Sequence, residues 1–248
     1  MIERHEEILN LVSEGKEISV QELSDQLAVS LVTIRSDLRV LEENGLLVRT
    51  RGGAELSSED DIARRMGINY SIKQKIASKA VSFINEGDTI FLEAGSCIAL
   101  MARELKVFSS LNVLTNNAFV ARQMKDAPGV KVILLGGEFQ KDSETMVGPM
   151  IREYLSYYNF SKVFLGMDGF TLDQGAMCRD LDRAEVMAEF VAAGEDVFIL
   201  SDSSKFGMKG IRVFAEIRDI DRIITDSHIS ETMKDSLSHM NVSVYCVS

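Results

Sequence analysis

Residues 29–54 read VSLVTIRSDLRVLEENGLLVRTRGGA, and this stretch decides the fold of the N-terminal part of the chain. Asn44-Gly45 is a typical helix stop, and the run 46–51 that follows it is β-capable and ends at two glycines. The stretch before that stop predicts one helix, because its apolar residues recur at the spacing of a single helical face. The residues of that face are Ile34, Leu38 and Leu41.

A shorter helix is predicted immediately upstream. Ser19-Val20-Gln21-Glu22 is a capping-box pattern, in which Ser19 caps the backbone and Glu22 reaches back to the cap. Ala28-Val29-Ser30 is a short break, and Ser30 is the candidate N-cap of the next helix. A first helix precedes both, with Ile8, Leu9 and Val12 on one face. Two short helices joined by a tight turn have helix-turn-helix dimensions.

The outward face of the longer helix carries groups that suit a DNA major groove. At about 100° per residue, Val32, Ser36 and Arg39 point away from the apolar face, and Thr33 and Arg35 flank them. Arginine donates to guanine, serine and threonine reach bases or phosphates, and valine contacts a thymine methyl. Asp37 and Glu42 would oppose binding if they faced phosphate. Two arginines of the following strand, Arg49 and Arg51, suit phosphate or minor-groove contact by a wing. The alternative is a three-helix domain that packs against another protein.

Bulk charge argues for a local rather than a general nucleic-acid contact. The formal net charge is −11, and acidic residues outnumber basic ones even within residues 1–55. Such a chain does not coat nucleic acid nonspecifically, but it can carry a small DNA-binding domain attached to a larger acidic domain.

Three other classes of protein are excluded or disfavoured. No apolar run approaches the length of a membrane span, and no apolar region follows the first residues as in a signal peptide. The three cysteines are far apart and the three histidines lack ligand spacing, so neither disulfides nor a metal site is predicted. We expect a cytoplasmic protein without a cofactor and without a membrane partner.

The periodicity of the apolar residues changes after a polar segment. We expect a DNA-binding domain over 1–56, a linker over 57–70 and a second domain over 71–248. The alternative for the linker is a charged helix that packs the two halves together.

From residue 71 onward, apolar runs of strand length alternate with helical stretches, which predicts an α/β domain with a mostly parallel sheet. The predicted strands are 89–92, 113–115, 130–135, 163–165, 197–200, 222–225 and 242–247. The predicted helices are 71–84, 98–105, 118–125, 149–157, 183–192 and 231–237.

Loops at the carboxyl ends of three predicted strands are candidate ligand sites. Gly95-Ser96-Cys97 precedes a helix, where free N–H groups favour an anion such as phosphate; a plain β-to-α turn is the alternative. Thr115-Asn116-Asn117 suits hydroxyl groups, or merely caps a helix. Asp168-Gly169 and Lys205 suit hydroxyls and a phosphate, or form a surface ion pair.

These residues closely resemble the DeoR family of bacterial repressors. The N-terminal segment is similar to the family pattern VS-x-x-TIRRDL-x-x-LE-x-x-G-x-x-x-R-x-x-GGA, with Ser36 in place of its second arginine. The second domain resembles the family's sensor domain, and the resemblance extends over nearly the whole chain. The matching positions are Lys75, Gly95-Ser96, Thr115-Asn116, Leu135-Gly136-Gly137-Glu138, Gly148, Asp168-Gly169, Gly175 and 202–206.

The resemblance implies how each domain works. The third helix would enter the major groove and residues 46–51 would form the wing of a winged helix-turn-helix. The sensor would have the fold of ribose-5-phosphate isomerase and hold a phosphorylated sugar or polyol. Repressors of glucitol, galactitol and amino-sugar operons look nearest. Gly136, Gly137, Glu138 and Arg179 would join the ligand site, and Cys97 and the segment 177–179 depart from the usual pattern.

We therefore predict a repressor of a carbohydrate operon, with operator DNA, a phosphorylated effector and further copies of itself as partners. A symmetric dimer or tetramer would bind palindromic or repeated half-sites. An active sugar-phosphate isomerase with a DNA-binding appendage is the alternative. It is disfavoured because the acidic residue that follows Asp-Gly closely in those isomerases is absent after Gly169, and Lys205 lacks their glycine-rich turn. A structural adaptor is a third alternative.

Overall fold

The computed structural model describes residues 3–14, 17–55 and 62–248. The chain divides into two compact units, Met1–Ser71 and Ile72–Ser248.

The first unit contains the predicted three helices and a small sheet. Its elements are α1 (Glu3–Glu14), β1 (Glu17–Ser19), α2 (Val20–Leu27), α3 (Leu31–Glu43), β2 (Val48–Arg49), β3 (Gly53–Glu55) and α4 (Ile62–Gly67).

Helices α2 and α3 begin where the caps were predicted. Ser19 and Glu22 form the reciprocal capping box, and the Ser30 side chain accepts from the backbone N–H of Thr33. Between the two helices Ala28 adopts a left-handed conformation with φ of 52°, which ends α2 and gives the tight turn. The apolar faces meet in one core, since the predicted inward residues are all buried. They are Ile8, Leu9, Val12, Leu23, Ile34, Leu38 and Leu41.

The wing is a three-stranded antiparallel sheet with the order β1-β3-β2. Strand β1, three residues long, is absent from the sequence-based prediction. Gly53 explains part of the wing's shape, because a Cβ at this position would lie 2.0 Å from the carbonyl oxygen of Ile18 in β1. Only glycine permits that approach of the two backbones.

The expected linker 57–70 has structure over part of its length. Residues 57–61 lie outside the described part of the chain. Residues 62–67 form α4, whose Ile62 and Met66 are buried, and α4 packs against α1 within the first unit.

The second unit is built on a seven-stranded parallel sheet with the order β15-β14-β12-β9-β4-β5-β6. All seven strands coincide with predicted ones within two residues. They are β4 (Thr89–Leu92), β5 (Leu111–Thr115), β6 (Val130–Leu134), β9 (Lys162–Leu165), β12 (Asp196–Leu200), β14 (Arg222–Asp226) and β15 (Ser243–Val247).

Six helices of the second unit also match the predicted ones within four residues at each end. They are α5 (Tyr70–Val81), α6 (Ser96–Glu104), α7 (Ala118–Gln123), α8 (Met150–Leu155), α9 (Leu181–Ala193) and α10 (Glu231–His239). Among the described residues, the chain has no helix both long and apolar enough to span a membrane.

Aromatic side chains fill the core on both faces of this sheet. Phe91 contacts Phe190 with ring centroids 3.9 Å apart, and Phe164 stacks on Phe198 at 4.5 Å. All four are fully buried, and each such burial contributes about 1.5–3 kcal/mol to folding. The sheet is therefore a rigid base for the loops at its edges.

Two small antiparallel sheets are additions that the sequence-based prediction lacks. The first pairs β7 (Glu138–Gln140) with β8 (Thr145–Val147). The second has the order β10-β11-β13, formed by β10 (Gly169–Thr171), β11 (Gly175–Cys178) and β13 (Arg212–Ala215).

Candidate functional site

The first candidate site is the outer face of α3. Val32 is 73% exposed, and Arg35, Ser36 and Arg39 are exposed beside it. Thr33 is half-buried, with its hydroxyl 2.8 Å from that of Ser30 at the helix start. Four of the five residues predicted for this face are thus accessible from solvent and Thr33 is partly so, and their contact with DNA stays a prediction.

Asp37 does not face outward, so it does not oppose DNA binding. It is buried on the inner side of α3, where its carboxylate accepts from Arg4 Nε at 2.7 Å and lies 3.2 Å from His5 Nε2. Burial alone would raise the pKa of Asp37, but the hydrogen bonds from Arg4 and His5 outweigh it and lower that pKa. The sequence pattern of α3 alone did not reveal this partner set on α1.

The two predicted wing arginines differ in their surroundings. The Arg49 guanidinium lies 3.6 Å from the Glu42 carboxylate, which also accepts from the Arg49 backbone N–H. Arg51 is exposed in the turn between β2 and β3. Glu42 therefore anchors the wing strand to α3, and Arg51 is the arginine presented at the wing tip.

The second candidate site lies at the carboxyl edge of the seven-stranded sheet, where the strand order reverses. Strand β4 is flanked by β5 on one side and by β9 on the other, and the chain builds the sheet outward in both directions from this point. Open parallel sheets bind ligands at such a switch point. The loops that follow β4 and β9 touch there, since a Cβ at Gly166 would lie 3.2 Å from the Ala94 carbonyl oxygen.

Helix α6 begins at this switch point without a side-chain cap. Its N-cap is Gly95, whose φ of 146° is strained for other residues, and this cap makes no side-chain hydrogen bond to the helix. Ser96 is half-buried and Cys97 is buried. The positive end of the α6 dipole therefore lies at 95–97, and the anion site expected there stays a prediction.

A buried lysine that sequence analysis missed lies close to this loop. Lys73 lies on the buried face of α5, and its Nζ is 3.8 Å from Asp202 Oδ2. Burial raises the pKa of the Cys97 thiol to about 12, while the positive charge of Lys73 acts in the opposite direction. Lys75, one of the positions that resemble the family's sensor domain, is exposed. The missed signal was a lysine within an apolar stripe that includes Ile76 and Ala80.

Asp226 organises the loop that contains Lys205. It accepts from the backbone N–H of Ser203 at 2.6 Å and from His228. Burial alone would raise the pKa of Asp226, but these hydrogen bonds outweigh it and lower that pKa. The loop ends at Lys205, which is half-buried. A lysine is thus held on a rigid turn at the end of β12.

The three polar residues after β5 have different roles. Asn117 is fully buried and caps α7 through Oδ1, while its Nδ2 donates to Ser143 and Thr145. The helix-cap alternative thus describes Asn117. Thr115 Oγ1 accepts from the Asn117 backbone. Asn116 donates to the Met146 carbonyl, and its buried Oδ1 has no hydrogen-bond partner among the described residues.

The remaining predicted ligand residues differ in their surroundings. Asp168 is half-buried and accepts from the Arg179 backbone N–H at 3.0 Å, while the Arg179 side chain is exposed. Gly169 allows close packing, because a Cβ there would lie 2.5 Å from the Met208 carbonyl oxygen. Gly136, Gly137 and Glu138 are exposed. Glu138 lines a cleft of about 370 Å³ together with Gly148, Arg152 and Asp182.

In the described parts of the chain, no three side chains of His, Cys, Asp or Glu are grouped as a metal ion would require.

Comparison with known proteins identifies the family. The DeoR C-terminal sensor domain matches residues 68–227, and the DeoR-like helix-turn-helix domain matches residues 4–60. The chain belongs to the DeoR family. The fold class and the family that the sequence predicted are thereby confirmed.

Similar proteins cover nearly the full chain. A lactose phosphotransferase system repressor of Staphylococcus epidermidis is 32% identical over 97% of this chain and 98% of its own. The transcriptional regulator GolR of Listeria innocua is 32% identical over 93% of this chain and 92% of its own. Ribose 5-phosphate isomerase A of Methanocaldococcus jannaschii covers 56% of this chain and 55% of its own, with a TM-score of 0.42 and 17% identity. Similarity at that level does not bear on activity.

Proposed function

We propose that this protein represses a carbohydrate-catabolic operon, that its first unit binds operator DNA, and that a phosphorylated sugar or polyol bound to its second unit controls that binding. One observation carries the proposal: α6 begins without a side-chain cap at the switch point of the parallel sheet. The anionic group of a phosphorylated ligand fits this end better than any neutral group does. Membership in a family with a helix-turn-helix domain supports the other part of the proposal, the binding of DNA by the first unit.

Helix α3 is the DNA-reading element in this proposal. Arg39 and Arg35 donate to bases or phosphates, Ser36 and Thr33 reach the backbone or a base, and Val32 contacts a thymine methyl. Arg51 contacts a phosphate from the wing tip, and Arg49 stays with Glu42. Because Ser36 replaces an arginine of the family pattern, the operator sequence differs from that of relatives which carry the arginine.

The effector is held by four kinds of group. The N–H groups of 95–97 bind the phosphate, and the ammonium groups of Lys73 and Lys205 neutralise it. Asn116 Oδ1, which has no hydrogen-bond partner among the described residues, accepts from a hydroxyl. The carboxylate of Asp168 accepts from another. Thr115 and Gly169 shape the loops, while Gly136, Gly137, Glu138 and Arg179 belong to an outer, exposed rim.

The protein acts as a regulator and not as an isomerase in this proposal. Aldose–ketose isomerisation needs a base at the proton that moves. The isomerases that this domain resembles carry a second acidic residue close after the Asp-Gly pair, whereas Phe170, Thr171 and Leu172 follow Gly169 here. The relatives quoted above are named as a repressor and a regulator, which supports the same assignment.

Repression also requires more than one copy of the chain. A single winged helix reads one half-site, so a dimer or tetramer on a palindromic or repeated operator gives the needed affinity and specificity. A protein that binds chromosomal operators in a bacterium works in the cytoplasm.

A gel-shift titration tests the proposal directly. The full-length protein is titrated onto the DNA upstream of its own gene, with and without a panel of hexose, pentose, hexitol and amino-sugar phosphates. We expect a specific complex, and we expect at least one phosphorylated compound to change its Kd while the unphosphorylated parent does not. Absence of a specific complex would refute the repressor assignment.

A further inference from the structure

Helix α5 crosses the boundary between the two units. Its first residues, Tyr70 and Ser71, belong to the first unit, and the remaining residues belong to the second. Within the first unit, the backbone N–H of Ser71 donates to Glu6 Oε1 of α1 at 2.6 Å. The start of α5 is therefore attached to the helix that also carries Arg4 and His5, the partners of α3.

Two residues beyond the boundary, the same helix is attached to the candidate effector loop. Lys73 Nζ lies 3.8 Å from Asp202 Oδ2, and the two side chains are only 8% and 7% exposed. The other oxygen of Asp202 accepts from the backbone N–H of Ser204, one residue before Lys205. The position of this loop and the position of α5 are thus linked through one buried ion pair.

We propose that the Lys73–Asp202 ion pair couples the effector site to α5, so that an anion at 95–97 draws the Lys73 ammonium away from Asp202. The proposal rests on the phosphate site of the proposed function and assigns its regulation. The charge of Lys73 already acts on Cys97 at the start of α6, where the anion would sit. A phosphate and a carboxylate near one buried cation compete for it. When the cation is close to one anion, its charge is largely neutralised and it attracts the other anion less.

The exchange can alter DNA binding because it distinguishes two states of α5. In one state the lysine is held by the loop of Asp202, and in the other it is held by the ligand. A ligand shifts such an equilibrium only through its different affinity for the two states, and the released ion pair supplies that difference. The change occurs within the first turn of α5, next to the hydrogen bond between Ser71 and Glu6.

The test separates ligand binding from coupling in the full-length protein, with inorganic phosphate as the probe and chloride at matched ionic strength as the reference. Thermal scanning reports binding, and hydrogen exchange of the amides of α5 reports coupling. Asp202→Asn removes the ion pair but keeps an oxygen for the Ser204 N–H. Lys75→Met, an exposed lysine on the same helix, is the matched control.

We expect phosphate to raise the Tm of the wild type, of K75M and of D202N. D202N still binds phosphate because it has lost a negative charge that competes for the same cation. It should change the exchange rates of α5 amides by about threefold or more in the wild type and K75M, and leave them unchanged in D202N. Because D202N leaves a buried lysine without this carboxylate, the double variant Lys73→Met/Asp202→Asn serves where D202N folds poorly. Phosphate, still held by 95–97 and Lys205, should raise the Tm of the double variant, and its α5 should not respond.

Three other results would overturn the coupling, and they point to two different faults. A wild-type response of α5 in D202N or in the double variant, or a wild-type Tm shift without any change in α5, refutes the coupling and leaves the phosphate site intact. Absence of any Tm shift in the wild type refutes the phosphate site itself, and the coupling falls with it.

Discussion

Arg4 Nε lies 2.7 Å from Asp37 Oδ2, and this contact ties α1 to the buried side of α3. His5 Nε2 lies 3.2 Å from the other oxygen of the same carboxylate. Two residues of α1 thus fix one residue of α3, on the side opposite to Val32 and Arg39. The orientation of the reading face depends on this contact as well as on the apolar core.

The contact predicts how acid weakens the first unit. The pKa of Asp37 is lowered in the folded protein, so its charge stabilises the fold above its unfolded pKa of about 3.9, and that stabilisation is lost as the pH falls toward the folded pKa. Asp37→Asn should lower the free energy of unfolding at pH 7 by about 1–3 kcal/mol. It should also flatten the decline of stability below about pH 4.

Urea unfolding followed at a series of pH values checks this prediction. Glu43→Gln is the matched control, because Glu43 is an exposed carboxylate on the same helix whose distance to Arg39 is 4.0 Å. Its stability and pH dependence should stay close to those of the wild type. Equal pH profiles for D37N and E43Q would contradict the role given to Asp37.

The reading face predicts different effects for two exposed arginines. Arg39→Ala should weaken operator binding by roughly 1–3 kcal/mol and relax the preference for one base, if it reads a base edge. Arg51→Ala should weaken operator and unrelated DNA about equally, because a wing-tip arginine meets phosphate. Fluorescence anisotropy with operator and scrambled duplexes measures both effects.

Arg218→Ala provides the control for charge alone, since Arg218 is an exposed arginine of the second unit that pairs with Glu216. It should leave both duplexes bound as before. Unchanged operator affinity in R39A and R51A would remove the assignment of helix and wing.

The parallel sheet was predictable because its central strands β4, β9 and β12 are nearly continuous apolar runs between polar turns. Such strands are buried on both faces of the sheet, as the burial of Ile90, Phe91 and Val163 shows. They can be recognised in the sequence without knowledge of the strands they pair with. The helix caps at Ser19 and Ser30 were predictable for a similar reason: a cap depends on three or four consecutive residues.

The features that sequence analysis missed depend on distant partners. Strands β1, β7 and β10 have three residues each, too few for an alternating pattern, and exist because a partner strand pairs with them. The burial of Asp37 depends on Arg4, which is 33 residues away in sequence. Likewise Lys73 becomes part of the candidate site through Asp202, which no local pattern connects to it.

The assignment as a regulator predicts that the purified protein does not interconvert aldose and ketose phosphates. A general base must lie within reach of the proton it removes, and the second acidic residue that follows Asp-Gly in the isomerases is absent after Gly169. A coupled assay with ribose 5-phosphate and hexose 6-phosphates measures the turnover. Turnover above about 1 per second that disappears in Lys205→Ala would contradict the prediction.

The effector site predicts selective stabilisation by phosphorylated ligands. A phosphorylated sugar or polyol present at about 100 times its Kd should stabilise the protein by about 2.7 kcal/mol, which raises the Tm of a domain of this size by several degrees. Its unphosphorylated parent should give no comparable shift, because it gains only ordinary hydrogen bonds at the start of α6. Thermal scanning with a panel of phosphorylated and plain sugars measures the difference.

Two glycine variants locate this stabilisation at the loop. Gly95→Val places a side chain on a backbone with φ of 146° at the N-terminus of α6, so it should abolish the ligand-dependent shift. Gly87→Val strains a backbone with φ of 85° in open space before β4, at the opposite edge of the sheet. It should lower the Tm but keep the shift. If both variants keep the shift, or if only unphosphorylated compounds stabilise the protein, the phosphate does not bind at 95–97. The ligand would then have to be sought around Asn116, whose buried Oδ1 still needs a donor.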